Sequence, residues 1–101
     1  MNQLSIIGNL VRDPETRTTE NGKTVCTFTV AVNRRGNEAD FFKVNAWNAL
    51  GENCGKYLAK GRKVAVVGPI TSHTYESNGQ KKTSWEVTAN DVEFLSQANA
   101  D

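Results

Sequence analysis

Between residues 40 and 48, Phe41 and Trp47 stand at even spacing with Lys43 and Asn45 between them. In an extended chain successive side chains point to opposite faces, so these four share one face while Phe42, Val44 and Ala46 share the other. The Phe42 set reads as a core face. The other set puts two large rings on either side of a cation and an amide, on what should be the wetter side. Such an array suits stacking on unpaired nucleobases, typically worth about 1–3 kcal/mol per base, with the cation meeting phosphate. The same pattern also fits two rings lying beneath a loop or in a subunit interface, and strand periodicity alone weighs the readings evenly.

A second group repeats the theme. Tyr75 shares a face with Thr71 and His73 ahead of the turn signal Asn78-Gly79, and Lys81-Lys82 follows on the return. His73, the single histidine, reads as a surface strand residue rather than a ligand or base. Trp85 opens the final strand, with packing at a barrel rim favoured over contact with a ligand. Metalloprotease, P-loop, dinucleotide-binding and nucleophile-elbow motifs are all absent, and the acidic residues are spread along turns, so no catalytic pair is expected. Cys26 and Cys54 are too few for a disulfide framework or a four-cysteine metal site and read as small core residues. No cofactor and no metal are expected.

The elements that must position these side chains are mostly strands. Residues 3–12 are rich in Ile, Leu and Val, and Gly8 within them suggests a bulge or bend. Asn21-Gly22 marks a hairpin. Residues 24–35 alternate, with Cys26, Phe28, Val30 and Val32 on one face and Thr27, Thr29, Ala31 and Asn33 on the other. A polar loop at 36–39 leads into the third strand, 40–48. Residues 47–60 read as a helix, with Leu50, Cys54, Tyr57 and Leu58 at helical spacing and Gly61 as its stop. Gly51 and Gly55 oppose that reading by about 1 kcal/mol each relative to Ala. A fourth strand at 63–68 ends at Pro69, and strands at 71–76 and 82–95 flank Asn78-Gly79. This layout, all-β with one short helix between strands three and four, is that of a five-stranded Greek-key barrel, although another small β-barrel has the same signature.

With 101 residues, 38% hydrophobic and 23% charged, the chain has the profile of one ordinary globular domain, expected over residues 1–96 with a frayed end at 97–101. No apolar run approaches the ~18 residues of a membrane span, and Met1-Asn2-Gln3-Leu4 does not open a secretory signal. Twelve basic and 11 acidic residues nearly cancel, so the placement of the basic clusters matters more than their number.

Taken in order, several motifs resemble those of bacterial single-stranded DNA-binding proteins. They are Ile6-Ile7-Gly8-Asn9-Leu10 with Asp13-Pro14-Glu15, Phe28 through Arg34, Glu38-Ala39-Asp40-Phe41 with Val44 and Trp47, Tyr57-Leu58 with Lys60-Gly61, Val66 through Gly68, Tyr75 before Asn78-Gly79-Gln80, and Glu86-Val87 with Val92 and Phe94-Leu95. The resemblance covers about residues 2 to 95. It implies the oligonucleotide-binding barrel, single-stranded DNA as partner in replication, recombination and repair, and a homotetramer, with a dimer as the alternative. It makes Phe41, Trp47 and Tyr75 the base-stacking residues, and Arg34, Arg35, Lys43, Lys81 and Lys82 the cationic contacts. The first strand, with Leu4, Ile6 and Gly8, would pair across a two-fold axis. A cytoplasmic bacterial protein is implied, with phage or plasmid origin as a variant.

Two departures matter. Where many relatives carry a further stacking aromatic, this chain has Arg34-Arg35-Gly36, and arginine can both stack and meet phosphate. Asn99-Ala100-Asp101 does not match the acidic tip through which relatives recruit other proteins, so recruitment through a tail is not expected. Three rival readings stay open: a dimeric primosomal accessory protein of the same fold, a protein-interaction barrel with its aromatics in an interface, and an RNA-binding barrel.

Overall fold

Apolar residues at every second position, many of them β-branched, make half-buried strands of Leu4–Leu10, Thr24–Asn33, Ala39–Trp47 and Lys63–Gly68. The computed structural model describes residues 1–95, so the end expected to fray lies outside the described residues. The elements are β1 (Leu4–Leu10), β2 (Glu15–Thr18), β3 (Thr24–Asn33), β4 (Ala39–Trp47), α1 (Asn48–Tyr57), β5 (Lys63–Gly68), β6 (Ile70–Ser77), β7 (Gln80–Thr88) and β8 (Asp91–Phe94).

The ladder runs β6-β7-β4-β3-β1-β5-β8, with β2 also paired to β3. Antiparallel β3 and β4 form the central hairpin, from Val25 opposite Trp47 to Asn33 opposite Ala39. β1 lies along β5 from Leu4 to Asn9 but meets β3 only at Asn9 and Leu10. β7 joins β4 in a short parallel ladder from Lys43 opposite Glu86 to Asn45 opposite Thr88. β8 pairs with β5 on the far side.

The ladder is an open path, and the ring around the core is completed by the chain itself between β7 and β8. There the Ala89 N–H donates to the Asn45 carbonyl of β4 and the Asn90 N–H to the Val67 carbonyl of β5, at 2.9 and 2.8 Å. One turn of the ring thus reads β1, β3, β4, β7–β8, β5. This is the expected five-position barrel, with the helix between its third and fourth strands. The long strand expected at 82–95 is in fact two strands, divided where the chain changes partners.

Inside the ring, Ile6, Leu10, Phe28, Val30, Val44, Val64, Val66, Val87 and Val92 pack with Cys26, Cys54 and Leu58. Both thiols are free and buried, as expected. Loss of water pushes the Cys54 thiol up to about 12, with the neighbouring Cys26 adding to the shift. Burial raises Cys26 too, against a hydrogen bond with Thr16 that lowers it.

Helix α1 is shorter than expected at both ends. It stops at Tyr57, and Leu58 is already extended and buried. Gly61, expected to end the helix, sits in the following turn at φ +90° and donates its N–H to the Leu10 carbonyl. Tyr57 is half-exposed and rests its ring against Phe94 of β8, 6.3 Å between centroids. The two helix glycines are steric requirements. A Cβ on Gly51 would overlap the Ala46 carbonyl oxygen, and one on Gly55 would overlap the Thr16 hydroxyl. The helix therefore lies directly against the barrel wall. Gly8 plays a similar part, since a side chain there would strike the Ala31 carbonyl of β3. The Asn78-Gly79 hairpin is as read, a two-residue turn with both residues at positive φ (55° and 79°) between paired Ser77 and Gln80.

Candidate nucleic-acid interface

Strand alternation on β4 holds residue by residue. Val44 and Ala46 are buried and Phe42 packs against the core, while Phe41, Lys43 and Trp47 point outward with Asn45 half-buried among them. Phe41 is 65% exposed and Trp47 39%. The parallel register carries this face onto β7, where Glu86 stands beside Lys43. From β7 it passes to β6, whose Tyr75 lies directly opposite Lys82 and His73 opposite Ser84. Phe41, Lys43, Trp47, Tyr75 and Lys82 thus belong to one outer face of the sheet. Lys81 does not. Neighbours in a strand alternate, so it projects to the opposite side of the hairpin, where its cross-strand partner is Glu76.

A hydrogen-bonded row crosses the middle of this face. The Thr27 hydroxyl donates to Asn45 Oδ1 at 2.8 Å, and Asn45 Nδ2 donates to Glu86 Oε1. The amide is thereby held in one orientation. Beside it a groove of about 350 Å³ is lined by Glu15, Thr16, Arg17, Thr27 and Lys43. A smaller one of about 180 Å³ shares Glu15, Thr27 and Lys43 and adds Arg12, Asp13, Phe28 and Thr29. A third, about 370 Å³, lies between Trp47, Asn48, Thr19, Asn21 and Lys23. Each ring therefore has a cation nearby on its own stretch of surface: Lys43 near Phe41, Lys82 across from Tyr75, and Lys23 at the hollow beside Trp47.

Arg34 stands apart from the other expected cations. Its guanidinium meets Glu38 at 3.1 Å and Asp40 at 3.3 Å, closing the β3–β4 loop together with the Arg34 N–H to Glu38 carbonyl bond. Two carboxylates of the protein's own thus already meet its charge. Arg35 is exposed in the same loop. Arg12, Arg17 and Lys23 line the grooves without having been singled out in the sequence. Arg17 escapes the sequence reading because it lies on β2, a strand with all four residues exposed and no apolar alternation to read, and Arg12 because it lies in the bend that follows β1. Trp85, expected to pack at the rim, is instead 58% exposed.

The strand expected at a two-fold axis keeps its inward residues for itself. Ile6 is in the core, Leu4 packs against it and Gly8 is buried, whereas Ile7 points outward and is 55% exposed. From Leu4 to Gly8 the backbone edge of β1 away from β5 has no strand paired to it among the described residues. No helix among the described residues is long and apolar enough to cross a membrane.

The model of the single-strand binding protein family matches residues 1–95. The chain is 39% identical over 108 aligned positions to Single-stranded DNA-binding protein 1 of Staphylococcus aureus (strain MSSA476), covering 100% of this chain and 69% of the relative. It is 39% identical to Single-stranded DNA-binding protein A of Bacillus subtilis (strain 168), covering 98% of this chain and 62% of that protein. Against the Single-stranded DNA-binding protein of Treponema pallidum (strain Nichols) the identity is 35%, covering 94% and 58%. Matched along all of its described length, with the barrel and the outer aromatic face already in place, the chain belongs to the single-strand binding protein family.

Proposed function

We propose that this protein binds single-stranded DNA with little regard for sequence, holding it during replication, recombination and repair without acting on it chemically. One observation carries the reading: Phe41, Trp47 and Tyr75 share a single outer face of the barrel, each with a cation close by. Every base has a π-face, so stacking tolerates sequence, and the cations follow the phosphates. Lys43 and Lys82 serve as phosphate contacts on that face, joined by Arg12, Arg17 and Lys23 along the grooves. Arg35 reaches the strand from the β3–β4 loop, and Arg34 contributes less because Glu38 and Asp40 already engage it. The reading needs neither cofactor nor metal, and it places the protein in the bacterial cytoplasm with DNA.

The β1 edge supports self-assembly. Two copies can pair edge to edge there through backbone groups, with Leu4, Ile6 and Gly8 setting the strand's shape from inside and Ile7 meeting its counterpart outside. A homotetramer built on such dimers gives the strand a continuous surface to follow.

The testing experiment is a tryptophan fluorescence titration with oligo-dT at several salt concentrations, with duplex DNA and oligo-U as controls. Binding through stacking gives quenching by the single strand and none by duplex. Affinity falls with salt at a log–log slope of about 0.7 per phosphate neutralised. Absence of both quenching and binding would remove the reading and leave the aromatic face as a protein interface. Equal affinity for oligo-U would show that the 2′-hydroxyl is not discriminated.

A further inference from the structure

The hairpin β6–β7 carries a second exposed ring on its other face. Trp85 is 58% exposed, more than Trp47 or Tyr75, and it lies on the side of the ribbon opposite Tyr75, Lys82 and Glu86. β7 is paired to β4 only from Glu86 to Thr88, so beyond that point the ribbon leaves the barrel with no third strand beside it among the described residues, and the side chains of Trp85 on one face and Tyr75 on the other are exposed. Around Trp85, on its own face, register places Ser72 directly opposite, the Thr74–Thr83 pair next along towards the hairpin tip and the Glu76–Lys81 pair beyond, while on the barrel side stand the buried Val87 and the half-buried Ile70. Outward from the core, this is one exposed ring, then hydroxyls, then a Glu76–Lys81 pair at the end.

That setting decides between occupants. A protein partner, including a second copy of this chain, needs a contiguous apolar patch of a few hundred Å², and here Val87 and Ile70 already pack into the core, which leaves the indole as the one exposed apolar side chain beside the Ser and Thr hydroxyls. A nucleotide needs one π-surface for its base and hydrogen-bonding or cationic groups for its sugar and phosphate, and these are what Trp85, the hydroxyls and Lys81 offer. The outer face is also close at hand. β4 and β7 diverge beyond the Lys43–Glu86 pair, so a flexible strand lying over Phe41 meets the free edge of the ribbon there.

We infer that Trp85 is a further stacking residue for single-stranded DNA, taking a nucleotide that has crossed the edge of the β6–β7 ribbon from the Phe41–Tyr75 face to its reverse. The inference rests on the reading of the outer face as the DNA site. It makes the ribbon a post around which the strand turns, with nucleotides on both sides, and it brings phosphate near Lys81 on the face that Lys81 shares with Glu76.

The chain has two tryptophans, Trp47 and Trp85, which makes each one separately visible. In Trp47→Phe all indole emission comes from Trp85, and in Trp85→Phe all of it comes from Trp47. Both variants and the parent are titrated to saturation with oligo-dT of about 4 nucleotides and of more than about 16, the range spanned by one barrel of this class. Anisotropy of an end-labelled oligonucleotide follows binding independently. The expected result is that the long oligonucleotide quenches Trp85 along the binding isotherm while the short one quenches mainly Trp47. Trp85→Ala then weakens binding of the long oligonucleotide about five-fold or more, with little effect on the short one, and Trp85→Phe restores most of the loss. Trp85 emission unmoved at saturation, with Trp47 quenched in the companion variant, overturns the inference and leaves the outer-face site standing. If neither tryptophan responds and anisotropy shows no binding, the outer-face reading falls with it. If Trp85 is shielded from acrylamide in DNA-free protein and the shielding is lost on dilution, a second copy covers the ring, and the inference is overturned.

Discussion

At the scale of the residue, exposure separates groups that hold the fold from groups free to bind. Phe41 stands mostly in solvent, so Phe41→Ala is expected to weaken oligo-dT binding by about 1–3 kcal/mol while leaving the melting temperature nearly unchanged. Anisotropy and thermal unfolding on the same sample check this. The cations divide by partner. Lys43→Ala should lower the salt slope of binding by about 0.7, whereas Arg34→Ala should change it less, because Glu38 and Asp40 already meet that guanidinium. Titrations of both variants across salt make the comparison. The thiols supply a pH dependence. Cys54 ionises near 9 when unfolded and is pushed up to about 12 by burial, so between these values the unfolded chain has lost a proton that the folded chain keeps. The stability due to the neutral buried thiol is full below pH 9 and declines as pH rises towards 12. Denaturant midpoints across that window should fall for the parent and fall less for Cys54→Ala.

Elements show where side-chain pattern suffices and where it does not. Alternation in β3 and β4 foretells which residues face the core, because burial on one side of a strand is what selects the pattern. The Asn78-Gly79 turn and the bounds of β5 are legible for equally local reasons. β2 is not, because it is polar on both faces and is placed by backbone pairing to β3 and by the Thr16 hydroxyl against Cys26 and Gly55, none of which shows in its side-chain pattern. The division between β7 and β8 is hidden too, since Ala89-Asn90 carries no turn signal and the break is imposed by two partner strands on opposite sides. The outer aromatic face is half legible: Phe41 and Trp47 follow from spacing on one strand, but placing Tyr75 with them and Lys81 away from them takes the pairing of β4 with β7 and of β7 with β6. The helix glycines mislead because propensity ignores neighbours. On propensity Gly51→Ala should gain about 1 kcal/mol. Against it stands the Ala46 carbonyl where the new methyl must go, an overpacking worth typically 1–3 kcal/mol. Net destabilisation is expected, and thermal unfolding of Gly51→Ala would show a lowered midpoint, with a raised one refuting the close helix–barrel contact.

For the whole molecule, the proposed assembly turns on the open edge of β1. Edge-to-edge pairing would bring Ile7 of each copy close to its counterpart, so Ile7→Lys sets like charges against each other across the axis. Sedimentation should show smaller species for this variant, with binding of short oligonucleotides retained because the aromatic face lies elsewhere. The same strand also orders events while the protein is being made. Ile6 pairs with Val66, and Leu4 with Gly68. At synthesis rates of about 5–20 residues per second, β1 emerges from the ribosome roughly 3–12 s before the strand it must join. In the course of that wait β2, β3 and β4 are completed in turn and can form their hairpins, while β1 is held to β3 by only its last two residues. The first strand made is thus among the last to be locked, and for those seconds its apolar side chains depend on whatever keeps nascent chains apart.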